Sequence, residues 1–281
     1  MLGEVAKLGL QTPLGFVVTV ESYKQCLLES KGTGLLGSAS GRPSLSSSQL
    51  VANAVRNGLA RLVAQASWPA VAVRSSGVAE DSPRASFAGQ FASFLNVRGY
   101  DEVASRVEQC WAALCDPGLL QYARRMHIPS SSMEMAVLIQ RMIPAEVSGV
   151  LFTADPIGGD SRRFVIEAGW GLGNSIVSGA QTPDVYTLTV DGATIGVESE
   201  VIDKMGVMSV CATNSSGIRT LPIASDRQHA RTLTPRQLHK LARFGQILTR
   251  HFGIPQDIEW AWYKGQCYIL QTRPITIPSR R

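Results

Sequence analysis

From Glu134 onward the sequence is dominated by short β-branched and apolar runs separated by turn residues, and this pattern limits the possible folds more than any other feature. The runs cover residues 135–143, 147–153, 163–167, 185–190 and, after an Asp191-Gly192 turn, 195–202. Successive β-branched and apolar runs of this length, with a hairpin turn among them, lead us to expect a mostly antiparallel sheet. The chain closes with one more hairpin, over residues 257–263 and 267–273.

Helical periodicity marks much of the remainder. Residues 49–66 carry Val51, Val55, Leu59, Leu62 and Val63 at helical spacing, and Trp68-Pro69 ends the segment before an apolar run, 70–73, that reads as a buried strand. A second helix is predicted from Asp101 as N-cap, with Val103, Val107, Trp111 and Leu114 on one face, up to Asp116-Pro117-Gly118; residues 119–126 add another short helix. Thr234 with Pro235 opens a third, carrying Leu238, Leu241, Ile247 and Leu248 and ending near Gly253. The glycine- and serine-rich stretch 31–48 has little apolar surface to bury and is predicted to be a surface loop. The expected class is α+β, in two lobes with a cleft between them: an N-terminal lobe over 1–134 and a C-terminal lobe over 135–281. No internal repeat of roughly 20 to 50 residues points to a solenoid or propeller.

Composition removes several function classes. At 44% hydrophobic and 17% charged residues the chain can bury a sizeable core, against disorder or a collagen-like repeat. The net charge of +5 is dispersed along the chain, which does not favour a nucleic-acid partner. Cys26, Cys110, Cys115, Cys211 and Cys267 form no C-x-x-C pair, which argues for a reducing compartment and against a zinc or disulfide framework. No stretch approaches the roughly 20 apolar residues of a membrane span, and the N-terminus lacks a signal-peptide layout, so no membrane partner and a cytoplasmic address are expected.

Four segments carry candidate chemistry. In the first, a strand delivers Arg74, Ser75 and Ser76 to the small-residue loop 77–90, which ends in Gly89-Gln90; a guanidinium fork with backbone N–H groups can surround a phosphate, and a solvated arginine at a strand end is the plain alternative. In the second, Gln140 to Glu146 links two apolar strands and could present backbone groups to a flat base and a carboxylate to ribose hydroxyls, or be an ordinary connection. In the third, the last hairpin places Asp257 and Glu259 on one strand face and Gln271 and Arg273 on one face of its partner. Two acids and an amide oxygen suit Mg²⁺, and the guanidinium suits the phosphates Mg²⁺ carries; a cross-strand salt bridge is the alternative. A two-residue turn at Lys264-Gly265 pairs 263 with 266 and sets Glu259 and Gln271 on opposite faces, so a shared site demands a longer loop or a bulge. The fourth, Ile166 to Asn174 with its GWGLG run, lacks G-x-G-x-x-G and a parallel βαβ unit and is not a dinucleotide fingerprint; a loop passing close to a ligand or the other lobe is expected.

Taken in order, AVRSSGVAEDSPRASFAGQFASFLNVRG, VLIQRMIPAEVSGVLFTADP, VIEAGWGLGNSIVSGAQTPD and DIEWAWYKGQCYILQTRPIT resemble the nucleotide-binding domain shared by phosphoenolpyruvate synthase, pyruvate phosphate dikinase and rifampicin phosphotransferase. The resemblance covers nearly the whole chain and implies an ATP-grasp-like fold with ATP and Mg²⁺ as ligands. It implies that Arg74 contacts the ATP phosphates, that Gly89 and Gln90 end the phosphate loop, and that Gln140 and Met142 lie beside adenine. Glu146 matches the ribose acid, Glu259 and Gln271 the Mg²⁺ ligands, Asp257 a supporting acid, and Arg273 a second phosphate arginine. Enzymes of this family use ATP to phosphorylate a histidine on a swivelling domain, releasing AMP and phosphate. His127, His229, His239 and His251 lack the glycine- and threonine-rich setting of that histidine, so the resemblance implies a separate histidine-carrying domain or protein as partner. A non-catalytic nucleotide-binding module, or a fragment of a longer enzyme, is the competing expectation. The family opening K-G-x-N-L-G-E is matched only from Leu2-Gly3-Glu4, with Met1 in the asparagine slot and Lys7 out of position for the lysine; Asn174 replaces the family acid after the GLG turn.

Overall fold

The computed structural model describes residues 1–32, 43–64, 68–77, 81–82, 85–86, 92–114, 116–118, 121, 125, 134–202 and 206–275. In chain order the elements are α1 (Leu2–Lys7), β1 (Gly15–Val18), α2 (Val20–Gly32), a 3-10 turn (Leu45–Ser47), α3 (Gln49–Val63), β2 (Val71–Gly77), β3 (Asp81–Ser82), β4 (Ala85–Ser86), β5 (Ser93–Val97) and α4 (Tyr100–Ala113). They continue with β6 (Met135–Arg141), β7 (Val147–Phe152), β8 (Arg163–Trp170), α5 (Asn174–Val177), β9 (Asp184–Asp191), β10 (Thr194–Val201), β11 (Val207–Cys211), β12 (Ile218–Pro222), α6 (Ser225–Gln228), α7 (Pro235–Phe252), β13 (Gln256–Tyr263) and β14 (Gln266–Pro274). The class is α+β as expected, and among the described residues every strand pair is antiparallel.

The chain divides into two compact units. The first comprises Met1–Pro13, Ile143–Cys211 and Ile218–Arg281, the second Leu14–Met142 and Ala212–Gly217. The division differs from the expected 134/135 boundary for a physical reason. β6 pairs on both sides within the four-stranded sheet β1-β6-β2-β5, so it belongs with the helical half of the sequence. The first thirteen residues go the other way: Val5 and Leu10 are buried in the core beneath the six-stranded sheet, and the Ile269 N–H donates to the Gln11 carbonyl.

In the second unit, α3 and α4 pack on one face of the four-stranded sheet, burying Val55, Leu59, Val103, Val107 and Trp111 against Val71, Val73, Val137 and Ile139. α4 begins one residue before the predicted cap: Gly99, at φ 76°, is the N-cap, and Asp101 and Glu102 lie in the first turn, where negative charge favours the exposed N–H groups. Part of the serine-rich stretch is ordered rather than loop-like. α2 extends through Gly32, Leu45 is 1% exposed, and Glu108 accepts hydrogen bonds from Ser44 Oγ at 2.7 Å and the Leu45 N–H at 2.8 Å. Residues 33–42 and most of the predicted helix 119–126 lie outside the described residues.

In the first unit the order is β10-β9-β8-β7-β13-β14, with α7 packed on one face. α7 follows the sequence signals closely. Thr234 and Gln237 form a capping box, Pro235 occupies the first turn, and Gly253 ends the helix at φ 72°. Its buried face is Leu238, Leu241, Ala242, Gly245 and Leu248; Ile247, expected among them, is 39% exposed, and the face that packs on the sheet runs instead through Gly245, where a Cβ would come within 2.9 Å of the Phe164 and Thr153 side chains. Among the described residues, Cys26, Cys110 and Cys267 are buried free thiols, with burial pushing Cys110 and Cys267 up to about 12. Among the described residues no helix is long and apolar enough to cross a membrane.

Two glycines of this sheet separate close approach from idle space. A Cβ on Gly149 of β7 would sit 1.8 Å from the Glu167 carbonyl oxygen, whereas one on Gly196 of β10 would meet nothing within 4 Å. Gly149→Ala is therefore expected to cost at least about 3 kcal/mol in urea unfolding, and Gly196→Ala less than about 1 kcal/mol.

Candidate functional site

The last hairpin resolves the register conflict contained in its sequence. Lys264 and Gly265 both have positive φ, 49° and 73°, and close a two-residue turn that pairs Tyr263 with Gln266. Pairing continues through Trp260 opposite Ile269, and then one residue, Leu270, is bulged, so that Glu259 lies opposite Gln271 and Asp257 opposite Arg273. Ile258, Trp260, Cys267, Ile269 and Thr272 are buried. The four polar residues consequently share the opposite face of the sheet.

Their electrostatics are partly settled within the hairpin. Arg273 Nε donates to Asp257 Oδ2 at 2.7 Å, the cross-strand ion pair that was the plain alternative, and it coexists with the Glu259–Gln271 pair rather than replacing it. Burial pushes the Asp257 carboxyl above its ordinary value, the Arg273 guanidinium pulls it back in part, and the Glu259 charge adds to the rise.

Sheet order adds a residue that sequence reasoning missed. β7 lies between β13 and β8, and Val150 pairs with both Glu259 and Glu167. Glu167, Glu259 and Gln271 therefore occupy one row on the polar face. Burial, and next the charge of Asp257, raise the Glu167 carboxyl above its ordinary value. The signal was an acid in a run of apolar residues, but only the non-local pairing of β8 with β7 connects it to the hairpin.

Glu146 is exposed in the short link before β7. Its N–H donates to the Trp262 carbonyl at 2.9 Å, its carbonyl accepts from Gly171 N–H at 2.9 Å, and Lys264 N–H approaches its carboxylate at 3.4 Å. In the second unit, Arg74 of β2 pairs with Leu138 of β6, and Ala72 with Gln140. Arg74 and Gln140 thus lie on the sheet face away from Val71, Val73, Val137 and Ile139, with Gln140 3% exposed. Met142, also buried, is fixed by its N–H donating to the Ala70 carbonyl at 2.9 Å. Gly89 and Gln90 lie outside the described residues, as does His127. His229, His239 and His251 are exposed, in keeping with surface histidines, and His251 packs edge-on against Phe252.

The GWGLG run packs against its own unit. A Cβ on Gly169 would meet the Gln181 side chain at 2.8 Å, and one on Gly171, at φ 78°, would meet the Ser209 carbonyl oxygen at 2.3 Å. Asn174 donates to Ser209 Oγ at 3.1 Å. These glycines admit neighbouring chain, which accounts for them without a ligand.

An acid held above its ordinary value binds its proton more tightly folded than unfolded, so the protein loses stability as pH rises from that value through the folded one. Glu167→Gln removes this loss. Urea midpoints of the variant are expected to exceed those of the wild-type protein at neutral pH and to converge with them below the ordinary glutamate value of 4.5.

Residues 44–281 match the family model described as the pyruvate phosphate dikinase AMP/ATP-binding domain. The chain is 34% identical to rifampicin phosphotransferase of Bacillus subtilis over 98% of its length and 33% of that protein. It is 36% identical to a rifampicin phosphotransferase of Streptomyces sp over 99% of its length and 34% of that protein, and 31% identical to a probable phosphoenolpyruvate synthase of Methanocaldococcus jannaschii over 98% and 25%. The chain therefore spans between a quarter and about a third of these relatives. A D-alanyl-alanine synthetase A structure from Vibrio cholerae aligns with 99% of this chain and 55% of its own at a TM-score of 0.41 and 9% identity.

Proposed function

The chain belongs to the family of the pyruvate phosphate dikinase AMP/ATP-binding domain, and from that premise we propose that it binds Mg-ATP and serves a dikinase-type transfer to a histidine carried on another domain or protein, with release of AMP and phosphate. The observation that carries this reading is the bulge at Leu270, which turns Glu259, Gln271, Asp257 and Arg273 to one face of the sheet despite the two-residue turn.

In this reading Arg74 and Arg273 contact the ATP phosphates, Gly89 and Gln90 end the phosphate loop, Gln140 and Met142 flank adenine, and Glu146 accepts from the ribose hydroxyls. Glu259 and Gln271 supply two hard oxygen donors to Mg²⁺. Among the described residues there is no group of three or more His, Cys, Asp and Glu placed to hold a metal. A two-donor set fits Mg²⁺, which keeps waters and substrate phosphates in its coordination shell and is seldom caged by protein alone. Bound there, Mg²⁺ would neutralise charge on the transferring phosphoryl group. The ion pair with Asp257 orients the Arg273 fork, so that charge faces the phosphates without the side chain having to be ordered on binding.

Titration calorimetry with ATP, with and without Mg²⁺, tests the reading. Binding is expected to depend on Mg²⁺, to weaken by about tenfold or more in Arg74→Ala, and to lose most of its Mg²⁺ dependence in Glu259→Gln. Absence of heat from a folded sample at millimolar ATP would overturn the nucleotide site. Formation of ADP in place of AMP with a histidine-carrying partner would overturn the dikinase step alone.

A further inference from the structure

Asn96 makes an arrangement that nucleotide binding does not require. It lies in β5 where the pairing with β2 shifts by one residue, adopts φ 57° and is fully buried. The left-handed region is uncommon for residues other than glycine, though asparagine enters it more readily than most. Held this way, the Asn96 Nδ2 group faces three backbone carbonyls: Ala212 at 3.0 Å, Ser215 at 3.1 Å and Gly217 at 2.6 Å. Gly217 N–H returns a bond to the Asn96 carbonyl at 2.9 Å, and Trp68 Nε1 donates to Asn96 Oδ1 at 2.9 Å, which fixes the amide orientation. Around this core the Arg98 N–H donates to Ser216 Oγ at 3.1 Å, and Ser216 hydrogen-bonds Glu102.

The acceptors form the tip of the β11–β12 hairpin. Its strands belong to the first unit and its tip, Ala212–Gly217, to the second. Among the described residues β11 and β12 pair as strands only with each other, and a two-stranded ribbon alone is marginal in water. The stem has duties of its own. The Leu172 N–H donates to the Ser209 carbonyl at 2.8 Å, Asn174 donates to Ser209 Oγ, and Gly206 bridges to Gln181. We propose that Asn96 is a latch for this hairpin, and that the latched hairpin acts as a strap holding residues 171–174, the loop that follows the strand bearing Glu167. This device is independent of the nucleotide reading, because neither its contacts nor its test involves a ligand.

Amide hydrogen exchange on the full chain, without nucleotide, tests it. In the unaltered protein the Ala212 and Gly217 amides are expected to be protected about a hundredfold or more relative to an unstructured chain, and lack of protection would overturn the latch whether or not any variant folds. Asn96→Asp keeps the acceptor for Trp68 but sets a carboxylate against three carbonyls, and Asn96→Gly keeps the positive φ but deletes both side-chain donors. In each, with the circular dichroism of the wild-type protein, exchange across 212–217 is expected to be about tenfold faster or more, and the Leu172 amide faster as well. Tip exchange within twofold of wild type in both variants would overturn the latch. A released tip with unchanged Leu172 exchange would overturn the strap.

Discussion

The side chains of a strand alternate with a period of two, and the last hairpin has to obey that rule from two starting points that disagree. The turn at Lys264-Gly265 sets the register from one end, placing Trp262, Trp260, Cys267 and Ile269 in the core. The polar pairs Glu259–Gln271 and Asp257–Arg273 set it from the other. On β14 the apolar Cys267 and Ile269 and the polar Gln271 and Arg273 have the same parity, so an unbroken strand would drive a glutamine and a guanidinium into the layer beneath α7. Burying a charge without a partner costs several kcal/mol, far more than one displaced ladder position. The bulge at Leu270 is the cheaper solution, and the polar face of the first unit depends on it.

That face is assembled from strands far apart in sequence. β13 and β14 are neighbours in the chain, so the relation of Asp257, Glu259, Gln271 and Arg273 can be read from the hairpin alone, including the need for a register shift. Glu167 joins them only because β7 pairs with β8 on one side and β13 on the other. Pattern and spacing say that β8 is a strand, but the order of strands in a sheet is fixed by long-range packing, and no local signal reports it.

The same distinction governs the rest of the fold. α7 was legible to within a residue because a capping box, a first-turn proline and a left-handed glycine act locally. Its buried face was less so: Ile247 has helical spacing but faces solvent, and Gly245, with no side chain, is what the sheet accepts. Asp101 is a good N-cap by residue type, yet Gly99 takes the position because the chain leaves β5 with a positive φ that glycine tolerates best. β6 was legible as a strand but not as a member of the four-stranded sheet of the second unit. Leu45 was hidden by its serines, whose hydroxyls satisfy Cys26 and Glu108 instead of water while the leucine enters the core.

The residues that resemble a binding motif also divide by what they touch. In the GWGLG run, Gly171 faces a backbone oxygen of β11, and at Gly169 a Cβ would meet the buried Gln181 side chain. Glycine here serves chain crossing, with Ser148 Oγ closing the bend by donating to the Gly171 carbonyl at 2.6 Å. Asn174, which stands where the resemblance implies an acid, spends its amide N–H on Ser209. A carboxylate could only accept at that hydroxyl, so an acid there would need Ser209 to reverse its role and donate. In this chain Asn174 donates that bond itself, and so anchors the start of α5 to the hairpin stem. The polar face of the sheet and the loop beside it are supported by different interactions, the first by register and the second by hydrogen bonds to a hairpin that Asn96 holds from its far end.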